Sequence, residues 1–217
     1  MGRALTLCLL LAGWAGGVRA ADFELTQPET ARVNRGEMVI RADLDAAQRS
    51  GTVRAALLID APPAVVFHAM TRCEDALEYV PHLRHCRVLP EPGPSGSHLV
   101  EHEIDFGWYA PRIRYVFRAD VVADRSIAFR QVRGDFKANE GIWEFESQDG
   151  GSGHAERTLV RYRVAIDPPG YVPNWLARST FRRELPQMLI GLKRHCEAEQ
   201  RAMDPGKQSS LRTPHLD

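Results

Sequence analysis

The chain has 217 residues, 44% apolar and 26% charged, and its 28 basic and 28 acidic side chains sum to zero net charge. That is ordinary globular composition, sufficient for one hydrophobic core. The even balance leaves no basic footprint for nucleic acid, and no apolar run is long enough to span a bilayer.

Residues 1–20 read as a signal peptide. "MGR" is a short basic start, "ALTLCLLLAGWA" is an apolar run, and Val18-x-Ala20 closes the segment in the pattern a signal peptidase reads. Cys8 lies inside the apolar run behind Leu7, which is not the setting of a lipoprotein anchor. Cleavage after Ala20 removes Arg3 and Arg19 and no acid, which shifts the neutral balance to −2. A periplasmic or secreted location is expected.

Residues 21–50 form a polar N-terminal extension with one strand-like run, "EMVIRA" (37–42). "GTVRAALLID" (51–60) then places Val53, Ala55, Leu57 and Ile59 on one face at period two. "APP" ends it, and Pro63 suits the first turn of a helix over "PAVVFHAMT". A second short helix follows in "EDALEYVPHL", where Leu77, Val80 and Leu83 make an apolar stripe. Three cysteines survive processing, Cys73, Cys86 and Cys196, and three pairings are possible. Cys73–Cys86 is favoured because the two bracket one compact segment, and in an oxidising compartment that loop is worth about 3 kcal/mol. Cys73, His82, His85 and Cys86 lack a CxxC-type pair, so no metal site is expected from them.

From 85 to 167 strand follows strand. "SHLVEHEIDF" puts Val100, His102, Ile104 and Phe106 on one side; "RIRYVFRADVV" turns Ile113, Tyr115, Phe117, Ala119 and Val121 inward. "SIAFRQVRGDF" aligns Ile127, Phe129, Gln131 and Arg133, "EGIWEFES" aligns Gly141, Trp143 and Phe145, and "TLVRYRVAID" aligns Val160, Tyr162, Val164 and Ile166. Bulk on one side and charge on the other predicts an antiparallel sheet covered on one face. A long helix then runs over about 172–203, with Phe181, Leu185, Met188, Leu189, Leu192 and Cys196 at helical spacing and Pro186 inside it. Pro186 has no N–H and should bend that helix. Residues 204–217 read as a disordered tail.

One α+β domain over 51–203 follows, a curved antiparallel sheet wrapped around the last helix with two short helices after its first strand. A sheet that grips one helix rarely closes completely, and the gap becomes a cavity.

"VRAALLIDAPPAVVFHAMTRCEDALEYVPHLRHCRVL" (53–89) resembles the opening of the START-like polyketide cyclase and lipid-transport superfamily. There a strand ends in I-x-A-P-x-x-V-[FW], two small helices follow, and P-x-[LV] precedes the second strand. "VRYRVAIDPPGYVPNWLARSTFRRELPQMLIGLKRHCE" (160–197) resembles the closing strand and lid helix of the coenzyme-Q-binding branch. The resemblance covers roughly 51–200 and implies a helix-grip fold with a hydrophobic ligand in the tunnel under the last helix. Its quinone-binding members work inside cells or mitochondria, whereas this chain carries an export pattern.

Candidate cavity-lining residues are His102, Phe106, Tyr115, Phe117, Phe129, Gln131, Arg133, Trp143, Tyr162, Leu185, Leu189 and Leu192. Trp108, Tyr109 and Phe136 are placed at the cavity mouth, where bulky aromatics gate a ligand or dip into a membrane surface. Arg112, Arg114, Arg178, Arg182 and Arg183 lie near them as candidate contacts to lipid phosphates. There is no G-x-S-x-G, H-E-x-x-H, P-loop or dinucleotide fingerprint. The expectation is a non-enzymatic carrier of a lipid, quinone or other isoprenoid, acting as a monomer without a cofactor. The alternative is an aromatase/cyclase-type enzyme that uses His102, Tyr115, Gln131 and Arg133 as proton-moving groups.

Overall fold

Period-two alternation becomes one eight-stranded sheet in the computed structural model, which describes residues 23–90, 97–149 and 156–203. The segment expected to be a signal peptide, 1–20, and the segment expected to be a disordered tail, 204–217, lie outside the described residues. The strands are β1 (Val39–Leu44), β2 (Gly51–Ile59), β3 (Leu83–Val88), β4 (His98–Ile104), β5 (Ile113–Val122), β6 (Ser126–Gly134), β7 (Ala138–Gln148) and β8 (Arg157–Asp167). Their spatial order is β1-β2-β8-β7-β6-β5-β4-β3, with every pairing antiparallel. Strands β3 to β8 are therefore a meander, and β2 returns beside β8 to complete a curved sheet.

The helices are α1 (Gln27–Asn34), α2 (Pro63–Thr71), α3 (Cys73–Tyr79), α4 (Asn174–Ser179) and α5 (Leu185–Met203). Pro63 opens α2 in its first turn, where its missing N–H has no partner to lose. Cys73 and Cys86 form a disulfide that ties the start of α3 to β3, and Cys196 is a buried free thiol. The main core joins the inward residues of β2, among them Val53, Ala55, Leu57 and Ile59, to Val66 of α2, Trp143, Phe145, Val160, and Leu189, Leu192 and Cys196 of α5.

The N-terminal extension holds more than the expected strand. Thr26 and Glu29 make a capping box, with the Thr26 N–H donating to Glu29 Oε2 at 2.9 Å, and Pro28 sits in the first turn of α1. Val33 of α1, with Phe23 and Val39, covers Ala56, Leu58 and Leu159 on the outer face of the sheet. Strand β2 is thus buried on both faces, which explains why Ala56 and Leu58 interrupt an otherwise alternating pattern with further apolar residues.

Between α4 and α5 the chain makes a π-helical turn, Thr180–Glu184, closed by the Leu185 N–H donating to Thr180 O. It lies immediately before Pro186, which cannot donate to the carbonyl four residues back. The wider turn absorbs that missing bond, so the interruption sits one turn earlier than the proline itself.

Candidate functional site

The sheet and the last helix enclose a cavity of about 720 Å³. Its walls come from the inward faces of β4, β5, β6, β7 and β8, from α2 and α3, and from the segment 168–188. Of the residues picked out by strand phase, His102, Phe106, Tyr115, Phe117, Phe129, Trp143 and Tyr162 all lie in the wall, as does Leu185 of α5. They pack edge to face and stacked. Phe117 and Phe129 meet at 6.1 Å, and Trp143 stacks on Tyr162 at 3.8 Å. Gly141 makes room for this belt, because a Cβ there would meet Phe129 Cζ at 2.7 Å and Arg163 O at 2.2 Å.

Polar groups in the wall are few and clustered. His102 Nδ1 and Tyr115 Oη share a hydrogen bond of 3.0 Å, and the His102 ring stands edge-on to Phe117 at 5.0 Å. Burial holds the His102 imidazole down to about 4, with the nearby His85 adding to the effect. Burial also pushes the Tyr115 hydroxyl up. A second polar group lies where the π turn meets the end of α3, with Glu184 and Thr180 in the wall and His82 Nε2 at 3.7 Å from Glu184 Oε1. Burial raises the Glu184 carboxyl against the opposing pull of His82 and Thr180. Asn139, buried in β7, completes the set. Sequence reading missed Asn139 and Glu184. Asn139 shares the phase of Gly141, Trp143 and Phe145 two residues at a time, and Glu184 falls between Phe181 and Leu185 on the face that meets the cavity, so both positions were available in the pattern.

Several expectations need correction. Leu189 and Leu192 do not line the cavity: both are fully buried in the main core with Cys196. The apolar stripe of the last helix divides, its N-terminal part (Phe181, Leu185, Met188) facing the void and its C-terminal part packing solidly. Arg133 is exposed. A register shift between Val116 and Phe117 pairs Phe117 with Gln131 but Val116 with Arg133, so the bulge turns Arg133 to the outer face. Gln131 keeps the inward phase, yet it lies outside the cavity wall and its Nε2 donates to Phe136 O at 2.8 Å.

The mouth residues separate too. Phe136 is in the wall, edge-on to Tyr115 at 5.1 Å. Trp108 sits on a 3₁₀ turn, Gly107–Tyr109, and is 90% exposed; the Tyr109 side chain lies outside the described residues. Trp175 of α4 is 54% exposed. Both rise beside a small cluster of Phe106, Ala110, Ile113, Val172, Leu176 and Ala177 that borders the cavity. Arg112 and Arg114 are paired with Glu103 at 2.9 and 2.6 Å, so they stand in a local ion network; Arg182 and Arg183 are exposed. Arg49, in the β1–β2 turn, was not anticipated. It donates to Pro169 O at 3.0 Å, Val172 O at 3.3 Å and Asn174 Oδ1 at 2.5 Å, and so clamps the approach to α4.

A second depression of about 830 Å³ runs over the β5–β6 turn and the start of α2. Asp124, Arg125, Glu144, Glu146, Glu156 and Arg161 line it, which makes it a solvated charged surface. The aromatic cavity is the better candidate.

Solved structures share this architecture. A protein of Thermus thermophilus superimposes with a TM-score of 0.54 at 19% identity, over 68% of this chain and 98% of that one. The Zhui aromatase/cyclase of Streptomyces sp. R1128 gives 0.53 at 18%, over 76% and 96%. A START superfamily protein of Mycobacterium smegmatis gives 0.53 at 14%, over 70% and 98%. At such identities the likeness establishes the helix-grip fold alone. No curated protein matches the chain. The sequence profile of one family does match, across residues 59–193, which takes in the core from the end of β2 to the middle of α5. The chain belongs to the polyketide cyclase / dehydrase and lipid transport family.

Proposed function

We propose that the protein binds and carries a hydrophobic small molecule, a lipid, quinone or other isoprenoid, in the cavity under the last helix. The observation that carries this reading is the cavity itself: about 720 Å³, walled by aromatic and aliphatic side chains, with two small polar clusters to orient a head group. The export pattern of residues 1–20 and the Cys73–Cys86 disulfide support a periplasmic or secreted carrier. Trp108 and Trp175, exposed next to the cavity, and Arg182 and Arg183 on the π turn support transient contact with a membrane surface during loading. No helix among the described residues is long and apolar enough to cross a membrane.

An aromatase/cyclase-type activity is the second reading, and the His102–Tyr115 hydrogen bond facing the cavity is what favours it. General acid–base catalysis works best when the group titrates near the working pH. An imidazole held down to about 4 and a phenol pushed up are both far from neutrality. That mismatch favours orientation of a ligand over proton transfer.

Titration of purified protein with a fluorescent fatty-acyl or isoprenoid probe tests the carrier reading. One saturable site per chain, quenched by Trp143, is expected, and His102→Phe should weaken binding of probes with a polar head and leave the probe unchanged chemically. Conversion of a polyketone probe by the wild type, abolished in His102→Phe, would establish the cyclase reading instead.

A further inference from the structure

Behind the cavity, α3 and α5 bring together Asp75, His195 and Glu199, none of which lines the cavity wall. We propose that these three residues form a divalent-cation site, best matched to zinc, that staples α3 to the C-terminal part of α5. Asp75 is 3% exposed, and its Oδ2, the Nε2 of His195 and the Oε2 of Glu199 are all buried without a hydrogen-bond partner. One ligand atom from each lies within 4.8 Å of the others. Buried polar atoms nearly always find partners, so one unpartnered atom on each residue of this cluster calls for a shared one.

The hydrogen bonds around the cluster say what kind of partner is missing. His195 Nδ1 faces Glu78 Oε2 at 3.0 Å, and a carboxylate there accepts the Nδ1–H. In the neutral tautomer that donates from Nδ1, Nε2 keeps its lone pair, 3.6 Å from Asp75 Oδ2. Carboxylate oxygens accept and do not donate, so in that tautomer the cluster offers three lone-pair atoms to a cation. At 3.6 Å the two atoms stand beyond the usual N–H···O span of about 2.7–3.2 Å. Two ligand atoms about 2.0–2.2 Å from a tetrahedral zinc, however, stand roughly 3.3–3.5 Å apart.

The remaining neighbours agree with this arrangement. Arg72 engages the other Asp75 oxygen, Oδ1, and leaves Oδ2 directed inward. His68 Nδ1 lies 3.6 Å from Glu199 Oε1 and stands ready beside the site. Glu78 on His195 is the outer carboxylate that orients a metal-binding imidazole. His195 and Glu199 are four residues apart and share one face of α5, while Asp75 comes from the short helix held to β3 by the disulfide. One imidazole and two carboxylates suit zinc better than calcium or magnesium, which take oxygen ligands. The site owes nothing to the cavity's ligand, so its fate and that of the carrier reading are separate.

Tag-free protein, stripped of metal with a chelator and titrated with zinc chloride by calorimetry, tests the proposal. One zinc per chain is expected, with a melting midpoint raised by about 5–10 °C at free zinc a hundredfold above the dissociation constant. Glu78→Gln should weaken binding about 10–100-fold with the stoichiometry kept, and Glu199→Gln should abolish the single site. Circular dichroism checks that each variant is folded. X-ray absorption of the zinc-loaded wild type, which needs no variant, should show nitrogen and oxygen neighbours and no sulfur. Failure of the wild type to retain zinc, sulfur in its first shell, or full zinc binding by folded Glu199→Gln would each overturn the site.

Discussion

Truncating the last helix at two positions one turn apart separates cavity wall from solid core. Leu189 is fully buried in the main core, whereas Leu185 borders the void and only partly contacts that core. Leu189→Ala removes three buried carbons at roughly 0.8 kcal/mol each. The hole left behind, in a core with no accessible gap beside it, brings the cost to about 3–5 kcal/mol. Leu185→Ala merely enlarges a space that already exists, forfeits contacts on one side only, and should cost about 1 kcal/mol. Enlargement should reverse the contrast: Leu185→Trp fills the cavity with little loss of stability and blocks a fluorescent lipid probe, while Leu189→Trp overpacks the core by about 1–3 kcal/mol or more. Urea denaturation and probe titration on the four variants supply both readouts. Equal destabilisation by the two alanine variants, or undiminished probe binding by Leu185→Trp, would refute the division of the helix into wall and core.

Acid should expose the buried imidazole: a His102 titrating near 4 in the folded state against 6.5 when free disfavours folding once protonated. That cost is absent above about pH 6.5, grows as pH falls towards 4 and is complete below it, reaching roughly 3 kcal/mol; His102→Gln should flatten the pH dependence of the melting midpoint in that window, and an unchanged slope would count against the burial. Reduction of the disulfide, or Cys73→Ser with Cys86→Ser, should lower stability by about 3 kcal/mol from a 13-residue separation, and should loosen probe binding because both residues lie in the cavity wall. Arg49→Ala should raise hydrogen exchange across 169–174 and cost about 1–2 kcal/mol, since three acceptors lose one donor; unaltered exchange there would remove its role as a clamp.

Strand phase carried most of the cavity. Val100, His102 and Ile104 on β4, Tyr115 and Phe117 on β5, and Trp143 and Tyr162 on β7 and β8 could be assigned inward because a period of two admits only two faces. The same rule failed at Arg133, where one extra residue in β6 reverses the faces and no residue type announced it. Along the last helix the pattern identifies an apolar stripe but not what lies opposite. Leu185 and Leu189 look alike in sequence, and only the position of β2, α2 and α3 decides which meets solid core. The π turn before Pro186 likewise depends on how the chain relieves a missing donor. Thr26, Pro28 and Glu29 spell an N-terminal cap for helix α1, but the helix buries only Val33 and so shows no apolar stripe in its sequence. The Asp75–His195–Glu199 cluster joins residues 120 or more positions apart, except for the His195–Glu199 pair, and no spacing rule reaches that far.

The most direct test of the carrier reading is native mass spectrometry of the protein recovered from the organism that makes it, followed by organic extraction of the released material. The account predicts one apolar molecule per chain, small enough for a cavity of about 720 Å³ and displaced from the Leu185→Trp variant. Only the bare chain mass, together with no uptake from a total lipid extract, would contradict it.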